Sequence, residues 1–278
     1  MRHHPLTPMT DANVVRLLTP QTTRPVHLIT NEVIDRGVDA VRRRVDELSQ
    51  TEGGIVVVDT ITDAQLVVIA EATAHLTVVT GGSGLATTLP RAWGFADTTP
   101  TGIPAPQGAR AVIAGSVSQA TNQQVAVYPG PKFQIDPRRI LRGANVVQEA
   151  IDWAAAAAAI GDTPLIYSTA MPEAVAKAQE SAGAELVGQA VEDALAAIGR
   201  GLVESGVRQL VVAGGETSGA CVRALEIREL RVGEQIDPGV PWAYGGSFAG
   251  GMHIALKSGN FGRPEFFTTA FEVLGARN

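Results

Sequence analysis

Apolar runs that stop abruptly at a glycine- or hydroxyl-bearing turn recur along this chain, and the repetition narrows the fold more than any other feature. The sharpest case is Gln209-Leu-Val-Val-Ala-Gly-Gly-Glu-Thr-Ser-Gly-Ala220, where Leu210–Ala213 runs into Gly214-Gly215 and a helical composition follows. It reads as a buried strand, a turn without Cβ atoms, and a helix start whose free N–H groups and positive dipole end favour an anion. A glycine needed only for tight packing is the plainer alternative. The turn fits neither the Gly-x-x-x-x-Gly-Lys-Ser/Thr loop nor the Gly-x-Gly-x-x-Gly fingerprint.

The pattern repeats in Ala111-Val-Ile-Ala-Gly115-Ser116-Val-Ser118 and in Leu76-Thr-Val-Val-Thr80-Gly81-Gly82-Ser83. Weaker versions stand at Val58-Asp59-Thr60, Ile29-Thr30-Asn31 and Ile166-Tyr167-Ser168-Thr169. Strands that are apolar throughout are buried on both faces, which means a parallel sheet between helix layers. Ligands of such sheets sit beyond the carboxyl ends of the strands, where these turns collect. The expected fold class is therefore α/β.

Two blocks follow from the order of these signals. Residues 1–97 hold strands at Val26–Ile29, Ile55–Val58 and Leu76–Val79, with helices over Val33–Leu48 and Asp63–Ala74. In the first helix Val38, Val41, Val45 and Leu48 form one face, and Arg42–Arg44 its solvated side. Residues 98–110 contain three prolines and two glycines and read as a linker. Residues 111–278 open with the strand Ala111–Ala114, followed by a β-rich excursion at Val125–Ile135 and an Ala-rich helix from Val146 to Ile160. Next come the strand Pro164–Tyr167, a helix start at Pro172, and an amphipathic helix over Leu186–Val203. After the 209–213 strand, Glu226–Ile236 reads as strand, Asp237-Pro-Gly as a turn, His253–Leu256 as a last strand, and a helix begins near Pro264.

Composition excludes several classes. A net charge of −6 argues against nucleic acid or an anionic membrane as partner. The single cysteine, Cys221, rules out an internal disulfide and a cysteine-based zinc cluster, and reads as a small buried thiol. Ala154–Ala159 is too short to span a bilayer, and the first residues carry no apolar signal-peptide core. A cytoplasmic location is expected. A Rossmann-type dehydrogenase is disfavoured, because its glycine fingerprint and acidic partner are missing.

Longer motifs carry a resemblance. Gly-Ser-x-Ser-x-x-Thr-x-x-Gln at 115–124, Ala-Gly-Gly-Glu-Thr-Ser-Gly-Ala at 213–220, Ile-Asp-Pro-Gly-Val-Pro-Trp at 236–242 and Ala-Leu-Lys-Ser-Gly-Asn-Phe-Gly at 255–262 are similar to those of the four-carbon acid sugar kinases. His4-Pro-Leu-Thr-Pro-Met-Thr-Asp-Ala-Asn13, Val58-Asp-Thr-Ile-Thr-Asp63 and Val79-Thr-Gly-Gly-Ser-Gly-Leu-Ala86 fit the second half of that family's substrate domain. The resemblance implies a C-terminal nucleotide-binding α/β domain behind a truncated N-terminal parallel α/β domain. Met1 matches an internal position, so the family's opening Asp-Asp-x-Thr-Gly-type turn is expected to be missing.

The activity implied is ATP-dependent phosphorylation of the 4-hydroxyl of a 3-oxo-tetronate; a nucleotide-binding fragment without catalysis of its own is the alternative. ATP and Mg²⁺ are the implied cofactors and a small sugar acid the partner; a homodimer is left open. By resemblance Ser116, the Gly214, Gly215, Glu216 and Thr217 segment, and Gly259 contact ATP. From the residues alone, Ser116 and Thr217 are helix-start hydroxyls that read first as N-caps, and Gly259 an ordinary turn glycine. Glu216 either binds Mg²⁺ or complements the helix dipole. Lys257 either neutralises a phosphate or is solvated at a strand end. Asp59 and Asp63 fall on the substrate side, with Asp63 equally an N-cap. His3 and His4 read as loop residues. Trp242 reads as a packing residue, with stacking on adenine as the alternative.

Overall fold

Ala111–Ala114 and Leu210–Ala213 have no exposed surface, as expected of strands covered on both faces. They pair side by side within the second of two compact units, residues 1–98 and 99–278, into which the computed structural model divides. The structure describes residues 9–50, 53–95, 102–168 and 184–276. The loop histidines His3 and His4, the turn residue Thr169 and the helix start expected at Pro172 lie outside the described residues.

In the first unit, α1 (Val14–Leu18) precedes β1 (Val26–Ile29). The expected helix from Val33 to Leu48 is split into α2 (Asn31–Ile34) and α3 (Val38–Ser49), because Gly37 takes a left-handed φ of 87° between them. β2 (Ile55–Val58) pairs in parallel with β1, Val26 opposite Ile55 and Ile29 opposite Val58. Val41, Val45 and Leu48 of α3 pack with Ile29, Ile34 and Ile69 in this unit's core.

α4 (Asp63–Thr73) starts in a capping box: Thr62 Oγ1 accepts from the Gln65 amide, and the Gln65 side chain accepts from the Thr62 amide. Thr62 is thus the cap, and Asp63 is the first helical residue. The strand expected at Leu76–Val79 does not form. The Leu76 amide donates to Thr73 (2.9 Å) to close the end of α4, and Val78 is 78% exposed rather than laid on a sheet. Short helices α5 (Ser83–Ala86) and α6 (Leu89–Ala92) follow.

The second unit begins with β3 (Ala109–Ala114), so Ala109 and Arg110 belong to the sheet rather than to the linker. Its preceding residues are fastened down as well: Gln209 Nε2 donates to Gly108 O (2.9 Å), and His253 Nε2 meets Pro104 O (2.8 Å). Next come α7 (Gln119–Val127), β4 (Lys132–Gln134), α8 (Pro137–Leu141), α9 (Val146–Ala159), β5 (Leu165–Tyr167) and α10 (Ala184–Glu204). Then follow β6 (Val207–Ala213), α11 (Gly215–Ala224), β7 (Arg231–Asp237), β8 (Val240–Ser247), β9 (Gly250–Lys257) and α12 (Phe266–Gly275).

The sheet order is β4-β5-β3-β6-β9-β8-β7. The first five strands are parallel, and β8 and β7 run antiparallel at one edge. Ile113 and Val212 face a core with Leu195, Ile198 and Cys221, while Val112, Val211 and Ala213 face Trp242, Phe266 and Phe267. Helices therefore cover both faces, as the period-two alternation of strand side chains requires.

Two expectations are corrected here, and one strand is added. The segment from Val125 is the end of α7, since Ser118 caps a helix that runs through Val127, and only Lys132–Gln134 is strand. Glu226 takes φ 59° after α11, so the strand starts at Arg231 and not before. Residues Val240–Ser247 form a strand, β8, joined to β7 by Pro238-Gly239 with Gly239 at φ 78°. Pro241 within β8 faces Gln235 where the β7–β8 register is irregular, the position a residue without an N–H tolerates.

Candidate functional site

Three neighbouring parallel strands, β3, β6 and β9, end together, and the three turns that follow them touch. The Gly115 and Ser116 amides both donate to Ala213 O (2.9 and 3.2 Å), and the Gly214 amide donates to Lys257 O (2.8 Å). Gly115 lies against the Thr217 hydroxyl so closely that a Cβ there would overlap it. A Cβ on Gly259 would overlap Ser116 Oγ in the same way. Gly214 adopts φ 132°, and a Cβ on it would meet Thr217 Oγ1 at 2.9 Å and the Ser116 amide at 3.2 Å. Gly215 differs from all of these. It is exposed, and nothing lies within 4 Å of where its Cβ would be.

α11 starts at Gly215 with Gly214 as N-cap and no side chain closing its end. The Ser118 side of this chemistry belongs to α7; on α11 the Ser218 amide bonds back to Gly214 O (2.8 Å). Helix geometry therefore leaves the amides of Gly215, Glu216 and Thr217 without an intrahelical acceptor. Open space, free amides and a positive dipole end together suit an anion here. Thr217 is buried in the third helical position, so it is not a helix cap; its hydroxyl fills the corner between Gly115 and Gly214. Ser116 is not a cap either. Ser118 caps α7, and Ser116 Oγ accepts from the Ser118 amide (3.2 Å) beside Gly259.

Glu216 is exposed in the first turn of α11, opposite Glu192 of α10. Burial first, then a hydrogen bond and like charge from Glu216, push the Glu192 carboxyl up to about 7, with Arg223 pulling the other way. Mg²⁺ is commonly held by one or two protein carboxylates, and Glu216 with Glu192 offers two.

Sequence reasoning missed the floor of the site. Lys257, far from being solvated, is fully buried, and its Nζ donates to Ser258 O, Gly259 O and Phe261 O (3.0, 3.0 and 3.1 Å) and to Thr121 Oγ1 (3.0 Å). Gly259 O also accepts from Ser118 Oγ (2.5 Å) and Thr121 Oγ1 (2.9 Å). Gln124, buried one turn further along α7, donates to the carbonyls of Phe261, Gly262 and Arg263 (3.0, 3.0 and 3.1 Å). The available signal was the spacing Ser118, Thr121, Gln124, polar residues three apart on one helix face. Glu192 gave no signal, being one polar residue on a long helix.

Trp242 is buried, packs at a tilt against Phe271 and donates Nε1–H to Ala270 O (2.7 Å), so packing is its role and adenine stacking is not open to it. Asp59 and Asp63 belong to the first unit, both exposed, at the carboxyl end of β2 and the start of α4.

A parallel-stranded α/β unit with free helix-start amides at converging strand ends has the architecture of a nucleotide-binding class of domain. Residues 111–267 match the family model of a nucleotide-binding C-terminal domain, and residues 1–89 that of a sugar-binding N-terminal domain. The chain belongs to this family, the four-carbon acid sugar kinases. It is 47% identical to the 3-oxo-tetronate kinase of Pseudomonas fluorescens, over 99% of this chain and 64% of that protein. It is 44% identical to the 3-oxo-tetronate kinase of Cupriavidus necator, over 99% of this chain and 65% of that protein. The chain thus spans a little under two thirds of these curated relatives. Among solved structures it is similar to a protein of Salmonella typhimurium LT2 (TM-score 0.74, 36% identity, 97% of this chain and 65% of that one). A Haemophilus influenzae protein is also similar (TM-score 0.66, 33% identity, 99% of this chain and 66% of that one). Among the described residues no helix is long and apolar enough to cross a membrane.

Proposed function

We propose that this chain works in the ATP-dependent phosphorylation of the 4-hydroxyl of a 3-oxo-tetronate, giving the 4-phosphate. The observation that carries the reading is the meeting of the β3, β6 and β9 turns around the open face of Gly215. The likeness to two 3-oxo-tetronate kinases supports the choice of substrate.

In this reading Gly214 shapes the turn that presents the amides of Gly215, Glu216 and Thr217, and these amides, the Ser116 hydroxyl and Gly259 hold the ATP phosphates. Phosphoryl transfer asks for positioning and charge stabilisation more than covalent help, and fixed amides supply both without reorganising. Glu216, with Glu192 beside it, holds Mg²⁺, which supplies charge neutralisation at the phosphoryl oxygens. Asp59 and Asp63 serve the sugar acid. Calorimetry with ATP, set beside a coupled ADP-release assay with and without a 3-oxo-tetronate, tests the two halves. ATP binding together with sugar-dependent ADP release is expected. ADP release that ignores the sugar acid refutes the transfer reading, and absence of ATP binding refutes the nucleotide reading.

A further inference from the structure

The 258–262 turn has a polarity that the hydrogen bonds around Lys257 dictate. In a trans peptide the carbonyl of one residue and the amide of the next point in opposite directions. Lys257 draws in the carbonyls of Ser258, Gly259 and Phe261 from below. The amides of Gly259, Asn260 and Gly262 are therefore turned the other way. Successive amides presented on one side of a turn make an anion-binding concavity. This one lies against Ser116, whose hydroxyl touches Gly259.

Among the described residues Lys257 is also a buried charge without an acid. The groups facing its Nζ are the Thr121 hydroxyl on α7 and the three carbonyls of the turn. The nearest charged side chain past the turn, Arg263, is paired with Asp237 at 2.8 Å. Glu192 and Glu216 answer each other on α10 and α11. A buried ammonium of this kind is costly unless a counter-charge arrives.

We propose that Lys257 is a positioning residue for the nucleotide: it folds the 258–262 backbone so that its amides face the phosphates, and the phosphates are the counter-charge its ammonium lacks. This rests on the nucleotide reading above. Burial pushes Lys257 down to about 8, so at that pH part of the population has lost its proton. Phosphates arriving nearby favour the charged form, and binding takes up a proton.

The test is calorimetry with ATP on the 278-residue chain near pH 8, in two buffers of different ionisation enthalpy. Proton uptake on binding is expected, with affinity falling by up to about tenfold per pH unit above 8. Lys257→Met should remove the uptake and weaken ATP binding by about tenfold or more, with thermal melting to check that it folds. Proton exchange at Glu192 centres lower, near 7, and survives in this variant. If the variant does not fold, uptake by the unaltered chain between pH 8 and 9 decides the matter. ATP binding without uptake there, or unchanged affinity in folded Lys257→Met, overturns the Lys257 inference alone. A chain that does not bind ATP overturns the nucleotide reading and this inference with it.

Discussion

Gly215→Val separates binding from folding more cleanly than any other change in the cradle. Gly215 has no positive φ, is exposed, and has no atom within 4 Å of its Cβ direction, so a side chain fits the free protein. Valine is also the better helix former of the two. The expected change in stability is within about 0.5 kcal/mol, or roughly 1–2 °C in melting temperature. The same open space is where a phosphate must approach the amides of the first turn. A hydrogen bond to a charged group is worth about 1.5–3 kcal/mol, so blocking one such contact should weaken ATP binding roughly 10- to 150-fold.

Gly214→Ala is the control. Gly214 sits at φ 132° against Thr217 and Ser116, so alanine there should cost about 1–3 kcal/mol of strain and lower the melting temperature by about 3–10 °C. Calorimetry and thermal melting on both variants read the contrast. Full ATP affinity in a folded Gly215→Val protein would show that the phosphates do not use this face.

Two further outcomes are expected. Ser116→Ala should weaken ATP binding by about 1 kcal/mol in calorimetry; a fall in melting temperature with affinity intact would mean the hydroxyl serves only the Ser118 amide it now accepts from. Glu192 has a folded-state pKa raised to about 7, so the folded state holds its proton longer than the unfolded one. Stability should therefore decline as pH rises from the ordinary carboxylate range through 7. Glu192→Gln should flatten that slope in denaturation curves taken across pH 5 to 8, and an unchanged slope would place the coupling elsewhere.

The parallel core of the second unit was legible because its strands are apolar on both faces and end in glycine. Ala111–Ala114 and Leu210–Ala213 announce burial, and Gly115 and Gly214-Gly215 announce the turn. β8 was illegible for the opposite reason: Pro241, Gly245 and Gly246 interrupt it, and pairing with β9 on one side and β7 on the other makes it a strand. Leu76–Val79 erred the other way, since its apolar run is local while strand formation depends on a ladder partner. In the candidate site, glycines and hydroxyls marked the face on which the three turns meet. Lys257 was misjudged because a lysine at a strand end carries no local sign of four acceptors, three of which follow it in the turn and one of which comes from a helix more than a hundred residues away.

The contacts of Gly115 with Thr217, Gly214 with Ser116, and Gly259 with Ser116 have a consequence for engineering. Each turn is the mould for another, so the three sequences cannot be exchanged one at a time. A Gly115→Ala change needs Thr217 shortened in the same molecule, and a graft of the 258–262 turn must arrive with its own match at position 116. Double-mutant cycles across these pairs should give coupling of about 0.5–3 kcal/mol, whereas Gly215, which moulds nothing, should add independently to changes at Gly115 or Gly259.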